Sequence, residues 1–353
     1  MDSPVFIAVH VGAGHLSRSK ESTYRSACAK ACIRAMRILK DKEGTSSLAV
    51  AEAIRQLEDH PVTNAGYGSN LSLEGKVECD ASLMSGTNGT FGAVGAVRGV
   101  KNPILSAYQM VLEADQGLLS LGRIPPMFLA GEGAKEWSKS RNLPIVEEDD
   151  LIEPQAFETY LNHLKMLMEA DKKDPSVGVD QGHDTVGAIC IDRFGNIAAG
   201  VSSGGISLKS PGRVGEAAMY GAGCWAQNEK NDTPGIACST TGTGEQIMRT
   251  MFTHKCVERL IKEDNIQTAI TDALRHDFLG SSFLTSYDKL SVGTIALRSQ
   301  KSNNKTRIEF WYGHVTEDMG IGYMSGTYTK PKTFVSRKGN LSEPYVSSGR
   351  LII

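Results

Sequence analysis

Two short apolar runs set the strongest constraint on this chain. Thr185-Val-Gly-Ala-Ile-Cys-Ile-Asp192 and Ile197-Ala-Ala-Gly-Val-Ser-Ser203 are separated by Arg193-Phe194-Gly195-Asn196. Apolar and β-branched runs joined by a turn that carries Gly and Asn predict a β-hairpin. A hairpin closes its outer ends together, so Thr185 at the start of one strand comes beside Ser203 at the end of the other. Gly204 and Gly205 follow, and glycine there allows close backbone approach.

The residue before Thr185 is Asp184, within Gly182-His183-Asp184-Thr185-Val186-Gly187. A mid-chain threonine hydroxyl lacks a neighbouring base and is a poor nucleophile. If the Asp184–Thr185 bond breaks, Thr185 becomes an N-terminus whose α-amine titrates near neutrality. A threonine paired with its own amine is an activated nucleophile. The route would be attack of the Thr185 hydroxyl on the Asp184 carbonyl, an N→O acyl shift, and hydrolysis. Taken alone, Asp-Thr is equally a helix cap or a strand start.

Two later motifs tip the balance. Ser210-Pro211-Gly212-Arg213-Val214-Gly215-Glu216 presents an arginine on a tight turn. A guanidinium binds a carboxylate through two parallel hydrogen bonds, although a surface arginine is the plainer alternative. Ser239-Thr240-Thr241-Gly242-Thr243-Gly244-Glu245 runs directly into a helical pattern. Gly242 to Gly244 at a helix start would aim free N–H groups and the positive helix end at a developing oxyanion. Each such donor typically contributes about 3 kcal/mol.

With these motifs in place, the chain resembles the plant-type (type 2) asparaginase family of N-terminal-nucleophile hydrolases, and within it the threonine aspartase branch. The likeness covers Val9-His10-Val11-Gly12-Ala13-Gly14, Asn64 to Asn70, Glu78-Cys79-Asp80-Ala81-Ser82, Arg123-Ile124-Pro125-Pro126 and Thr185 to Ala226. Ser203 in place of an asparaginase-type threonine, Cys224-Trp225-Ala226, His314 to Met319 and Gly322 to Ser325 resemble the aspartase branch. The resemblance implies a four-layer αββα sandwich of the α+β class. It makes Thr185 the nucleophile, Ser203 the group that orients it, and Thr241 with the Gly242 N–H the oxyanion hole.

The resemblance also implies that Arg213, Glu216, Gly244 and Lys20 bind substrate. Glu216 stands where asparaginases use aspartate for the substrate ammonium, one methylene longer, and this departure disfavours a free amino acid. Lys20 is either a second cation for an acidic side chain or a surface lysine at a helix start. Leu57 to Asn64 matches a stretch whose carbonyls hold sodium in asparaginases, while a plain helix-to-loop turn explains the same residues. No other cofactor or metal is expected. The reaction implied is cleavage of proteins after aspartate, transcription regulators among them. The alternative is an isoaspartyl peptidase or L-asparaginase acting on small β-aspartyl substrates. A non-catalytic scaffold is the third reading, and the joint presence of Thr185, Ser203, Arg213, Thr241 and Gly242 argues against it.

The chain reads as one domain over residues 1–353. Cleavage would divide it into an α subunit, 1–184, and a β subunit, 185–353, with 143–183 as a processing loop in which Phe157, Tyr160, Leu161, Leu164 and Met168 make the apolar stripe of a peripheral helix on a solvated linker; a dimer of these αβ units is expected from the family. Helices are predicted at 20–42, 47–59, 103–114, 132–140, 245–262 and 265–277. Strands are predicted at 5–9, 77–84, 91–97, 217–225, 236–240, 292–297 and 307–312. With 353 residues, 40% of them hydrophobic, the chain can bury a substantial core. A net charge of −2 speaks against generic nucleic-acid binding, and no apolar run reaches a membrane-spanning length. Val5 to Val9 reads as a strand in place of a secretory leader. Seven scattered cysteines read as free thiols of a reducing compartment, cytosol or nucleus. The basic nuclear-import loop of the aspartase branch is reduced here to Lys172-Lys173.

Overall fold

The computed structural model describes residues 4–170, 185–231, 233–302, 305–339 and 343–352. Asp184 and Lys172-Lys173 lie outside the described residues. The N-terminal half runs β1 (Phe6–Gly14), α1 (Glu21–Lys40), α2 (Ser46–Glu58), β2 (Cys79–Ser85), β3 (Phe91–Val97), α3 (Pro103–Asp115), β4 (Phe128–Ala130), α4 (Gly131–Lys139) and α5 (Pro154–Ala170). The C-terminal half continues with β5 (Val186–Ile191), β6 (Ile197–Ser203), β7 (Cys224–Gln227), β8 (Gly235–Gly242), α6 (Gly244–Thr250), α7 (Phe252–Lys262) and α8 (Ile266–Asp272). It closes with β9 (Val292–Ser302), β10 (Lys305–His314), β11 (Asp318–Ser325), β12 (Lys332–Arg337) and β13 (Val346–Ile352).

The strands form two sheets, ordered β12-β11-β1-β5-β6-β2-β3-β4 and β13-β10-β9-β8-β7. Every described pairing is antiparallel except β3 with β4. The layers follow from the two-residue period of a strand. On β5, Val186, Ala188 and Cys190 pack under α1 to α3, while Ile189 and Ile191 face the second sheet. On β8, Ile236 and Cys238 pack against α7 and α8, and Ala237 faces the first sheet. Both faces of β5 are covered, which is why it reads as an unbroken apolar run rather than as an alternation. Helices, sheet, sheet, helices is the expected four-layer α+β sandwich.

Local signals explain the helices. α2 begins at Thr45, whose Oγ1 accepts the Leu48 N–H, a standard N-cap. Pro103 occupies the first turn of α3, where its missing N–H costs nothing. Ala27, Cys28, Ala31, Cys32, Ala35, Met36 and Leu39 form the buried stripe of α1. All seven cysteines are buried free thiols.

Three features depart from the sequence reading. The single helix expected over 245–262 is broken at Met251, which sits at φ 51°. The Thr253 hydroxyl is committed to the Ala222 carbonyl and to Thr240 Oγ1, the latter at 2.8 Å, so docking onto β8 overrides helical continuity. The helix expected within the processing loop forms as α5, but the stretch leading into it is packed together with its first turns and is not a solvated linker: Leu151, Ile152, Ala156 and Tyr160 join a core cluster with Leu71, Val77 and Val94. The third concerns strands: the one expected over 217–225 forms only as β7 (Cys224–Gln227), with Glu216–Ala218 a short helical turn, while β4, β11, β12 and β13, which lacked a distinct local signal, are recruited by pairing.

Candidate active site

The hairpin forms in the predicted register, with Val186 opposite Ser202. Its turn is held by Asp192, whose Oδ1 accepts the N–H groups of Phe194 and Asn196, and Gly195 takes φ 84°. Thr185, immediately before β5, and Ser203, the last residue of β6, lie on the strand faces that look into the space between the sheets. They share the parity of Ile189 and Val201, which belong to the inter-sheet core. Thr241 has the parity of Ala237 on β8 and joins them from the other sheet. Period-two geometry thus delivers three hydroxyls to one buried end of the sandwich.

Thr185 is almost fully buried, and its Oγ1 lies 3.1 Å from Ser203 Oγ. Ser203 Oγ in turn accepts the Gly205 N–H at 3.0 Å. The closest polar group to the Thr185 hydroxyl is Glu216, whose Oε1 accepts it at 2.8 Å. Burial pushes the Glu216 carboxyl up to about 7, against the opposing pull of Arg213 and the Thr185 hydrogen bond. Glu216 therefore sits against the predicted nucleophile itself.

Arg213 stands beside it but is already engaged. Its Nε and Nη2 donate to the two Glu245 carboxylate oxygens at 2.8 and 2.7 Å. The Nη1 edge faces Gly205 and Gly215, where an added Cβ would come within 3.0 and 2.9 Å of it. Gly244, the first residue of α6, faces the other side of the pair. A Cβ there would lie 2.6 Å from Glu216 Oε2 and 2.9 Å from Arg213 Nη2. Gly242 has φ 139°, and a Cβ on it would approach the Ser291 carbonyl oxygen to 2.3 Å. Both positions exclude side chains for reasons the structure makes explicit.

Four charged or titratable neighbours escaped sequence reasoning, although all four stand inside the quoted stretches. Asp80 Oδ2 accepts the Gly215 N–H at 2.8 Å, and burial raises its carboxyl. Lys209 is buried and donates to the Glu78 carbonyl at 2.6 Å. His10 pairs with Ser239 Oγ at 2.8 Å, and burial pushes the imidazole down to about 3 against a backbone contact with Thr185. Glu245 directly follows Gly244, and its pairing with Arg213 spans 32 residues, beyond any local signal.

Lys20 is not brought to this cluster. It is exposed and lines a cleft of about 450 Å³ with Thr63, Asn64, Asn70, Glu153 and Thr159. The cleft backs onto the site, since Asn64 and Asn70 both donate side-chain amides to the Gly205 carbonyl. In the stretch considered for sodium, the Leu57 and His60 carbonyls accept the Thr63 hydroxyl at 2.5 and 2.8 Å.

A family model described as asparaginase matches residues 3–299. An isoaspartyl peptidase/L-asparaginase from Xenopus laevis is 36% identical over 246 residues, 70% of this chain and 72% of the relative. An isoaspartyl peptidase from Salmonella typhimurium is 35% identical over 252 residues, 69% of this chain and 75% of the relative. An isoaspartyl peptidase/L-asparaginase from Mus musculus is 35% identical over 250 residues, 70% of each. These names overturn the expectation of a threonine endopeptidase that cuts proteins after aspartate, and favour the small-substrate alternative. The marks that suggested the aspartase branch are in large part packing positions. Cys224 and Met319 lie in the inter-sheet core, and His314 is buried with its nitrogens on the Thr316 carbonyl and Ser336 Oγ.

Proposed function

This chain belongs to the type 2 asparaginase family of N-terminal-nucleophile hydrolases, and on that premise we propose that it is an isoaspartyl peptidase/L-asparaginase. Its substrates are small β-aspartyl compounds: dipeptides linked through the aspartate side chain, or asparagine itself. The observation that carries this reading is the cluster of Thr185 Oγ1, Ser203 Oγ, Glu216 and Arg213 in one buried end of the sandwich, with Thr185 Oγ1 2.8 Å from Glu216 and 3.1 Å from Ser203.

Scission of the Asp184–Thr185 bond supplies the α-amine of Thr185 as general base. The hydroxyl then attacks the side-chain carbonyl of the β-aspartyl substrate, the tetrahedral intermediate expels the amine or ammonia with the proton taken from the hydroxyl, and water hydrolyses the remaining acyl-enzyme ester to free aspartate and Thr185. Ser203 holds the hydroxyl and amine in line. The extra methylene of Glu216, expected to disfavour a free amino acid, still ends in a carboxylate against the nucleophile, and this carboxylate pairs with the free α-ammonium that a β-aspartyl dipeptide or asparagine carries. Arg213 takes the substrate α-carboxylate through its Nη1 edge, on the side of Gly205 and Gly215. Thr241 and the Gly242 backbone stabilise the oxyanion. A zwitterion of this size satisfies one cation and one anion of the site together, and a longer chain has no second ammonium to offer Glu216.

The test is turnover by purified wild type beside Thr185→Ala. We expect wild type to run as two fragments split between Asp184 and Thr185, and to release amino acid from β-aspartyl dipeptides and ammonia from asparagine. Thr185→Ala stays as one chain without activity. A cleaved wild type that leaves both small substrates intact, while hydrolysing a peptide after an α-linked aspartate, would overturn the proposal.

A further inference from the structure

The uncleaved chain poses a problem that the mature mechanism does not solve. Before scission the Thr185 nitrogen is an amide, with no basic lone pair, so the base invoked for turnover is missing when the first bond must break. One group already occupies the position of that base. Glu216 Oε1 accepts the Thr185 hydroxyl proton at 2.8 Å, shorter than the 3.1 Å contact to Ser203 Oγ. A serine hydroxyl is a very weak base, whereas a carboxylate within hydrogen-bond reach is the ordinary partner for general-base work.

We propose that Glu216 is the general base of self-cleavage, acting on the Thr185 hydroxyl in the uncleaved chain before the threonine amine exists. The proposal rests on the reading of Thr185 as the nucleophile. Glu216 takes the Oγ1 proton as the Oγ1–C bond to the Asp184 carbonyl forms. The resulting tetrahedral centre collapses with loss of the C–N bond, and the proton held by Glu216 passes to the departing nitrogen. Glu216 returns to carboxylate, and an ester links Asp184 to Thr185 Oγ1. Water then adds to that ester, freeing the Asp184 carboxylate and the Thr185 hydroxyl. The new amine takes over as base, and Glu216 is released to meet the substrate ammonium. One side chain thus serves two successive states of the same site.

The surroundings suit this task. Gly244 leaves room for Glu216 Oε2 and, beside it, for Arg213 Nη2. The short turn bearing Glu216 packs on β2, β3, β6 and α6. From these elements Asp80 of β2 acts on it directly, while Ser203 of β6 reaches it only through Thr185 and Glu245 of α6 only through Arg213. Arg213 and Lys209 come from the preceding loop, and β3 is apolar throughout. Burial, with a smaller push from Asp80, holds the carboxyl up to about 7, so it ionises where a proton acceptor is useful and returns the proton readily.

The test follows full-length chain made by cell-free translation as it converts to two fragments on a denaturing gel, from pH 5.5 to 8.5. Wild type is expected to cleave faster as pH rises and to level off above about pH 7. Glu216→Gln keeps the shape, loses the base, and should slow cleavage by about 100-fold with the inflection abolished. Glu216→Ala should be equally slow but accelerated by added formate, which refills the space with a carboxylate; Thr185→Ala gains nothing from formate. Rescue is a readout that a merely structural role would not produce, and it keeps the test decisive if Glu216→Gln folds poorly. Cleavage of Glu216→Gln within about 3-fold of wild type with an unchanged pH profile overturns the proposal while leaving Thr185 as nucleophile. Failure of formate to accelerate a folded Glu216→Ala also overturns it. A wild type that never cleaves overturns both.

Discussion

Glu58 offers a perturbation whose size can be worked out from the structure. It ends α2 with no exposed surface, and its Oε1 accepts the Ser202 hydroxyl at 2.7 Å and the Ile104 N–H at 3.0 Å. Its Oε2 is buried without a hydrogen-bond partner among the described residues. Burial pushes the carboxyl up to about 8, against the opposing effect of these hydrogen bonds. An unfolded glutamate titrates near 4.3. Between these values the folded state holds a proton that the unfolded chain has lost, so stability falls as pH rises. The slope is about 1.4 kcal/mol per pH unit, fully developed from the unfolded pKa and complete above the folded one. Glu58→Gln keeps the oxygen acceptor and removes the titration. From pH 5 to pH 7.5 the stability difference should therefore move in the variant's favour by roughly 3 kcal/mol. For a chain of this size that is about 4 °C in melting temperature.

Urea unfolding at several pH values measures this difference. Both proteins should carry Thr185→Ala, so that unfolding does not separate two fragments and a single free energy is defined. Glu216 titrates with the same sign, having a folded pKa of about 7, but it is present in both proteins and cancels. A stability difference that stays constant within about 0.5 kcal/mol across the range would refute the reasoning, because it would show that Glu58 is ionised in the folded state.

Arg213→Lys removes the planar fork that is paired with Glu245, so KM for a β-aspartyl dipeptide should rise by about 10-fold or more with a smaller change in kcat, read by steady-state kinetics. Gly187→Ala would place a Cβ 2.1 Å from Ser239 Oγ and 2.4 Å from His10 Nε2. It should destabilise the fold by at least about 1–3 kcal/mol, seen as a lowered melting temperature. Gly133→Ala is the contrasting case: it lies inside α4 with no atom within 4 Å of the added Cβ, and should stabilise by about 0.4–1 kcal/mol. Equal effects at the two glycines would mean that packing around His10 is looser than described.

The sequence by itself determined what depends on neighbours along the chain. The hairpin was legible because its turn carries Gly195 and Asn196 between apolar runs, and α1, α2 and α3 because their buried stripes and first-turn residues are local signals. The hydroxyl set Thr185, Ser203 and Thr241 was legible through ordered motifs, as was membership of the family. Branch-specific motifs misled, because Cys224, Met319 and His314 answer to the core and not to a substrate. What the tertiary structure alone decided is which groups meet. Glu216 read as a pocket residue until packing placed it on the Thr185 hydroxyl, and Arg213 read as a substrate anchor with no protein partner named until α6 brought Glu245 against it. His10 and Ser239 are paired across 229 residues. Sheet order and strand register fix such contacts, and they are global properties: pairing a strand one residue differently would turn every one of these side chains to the opposite face.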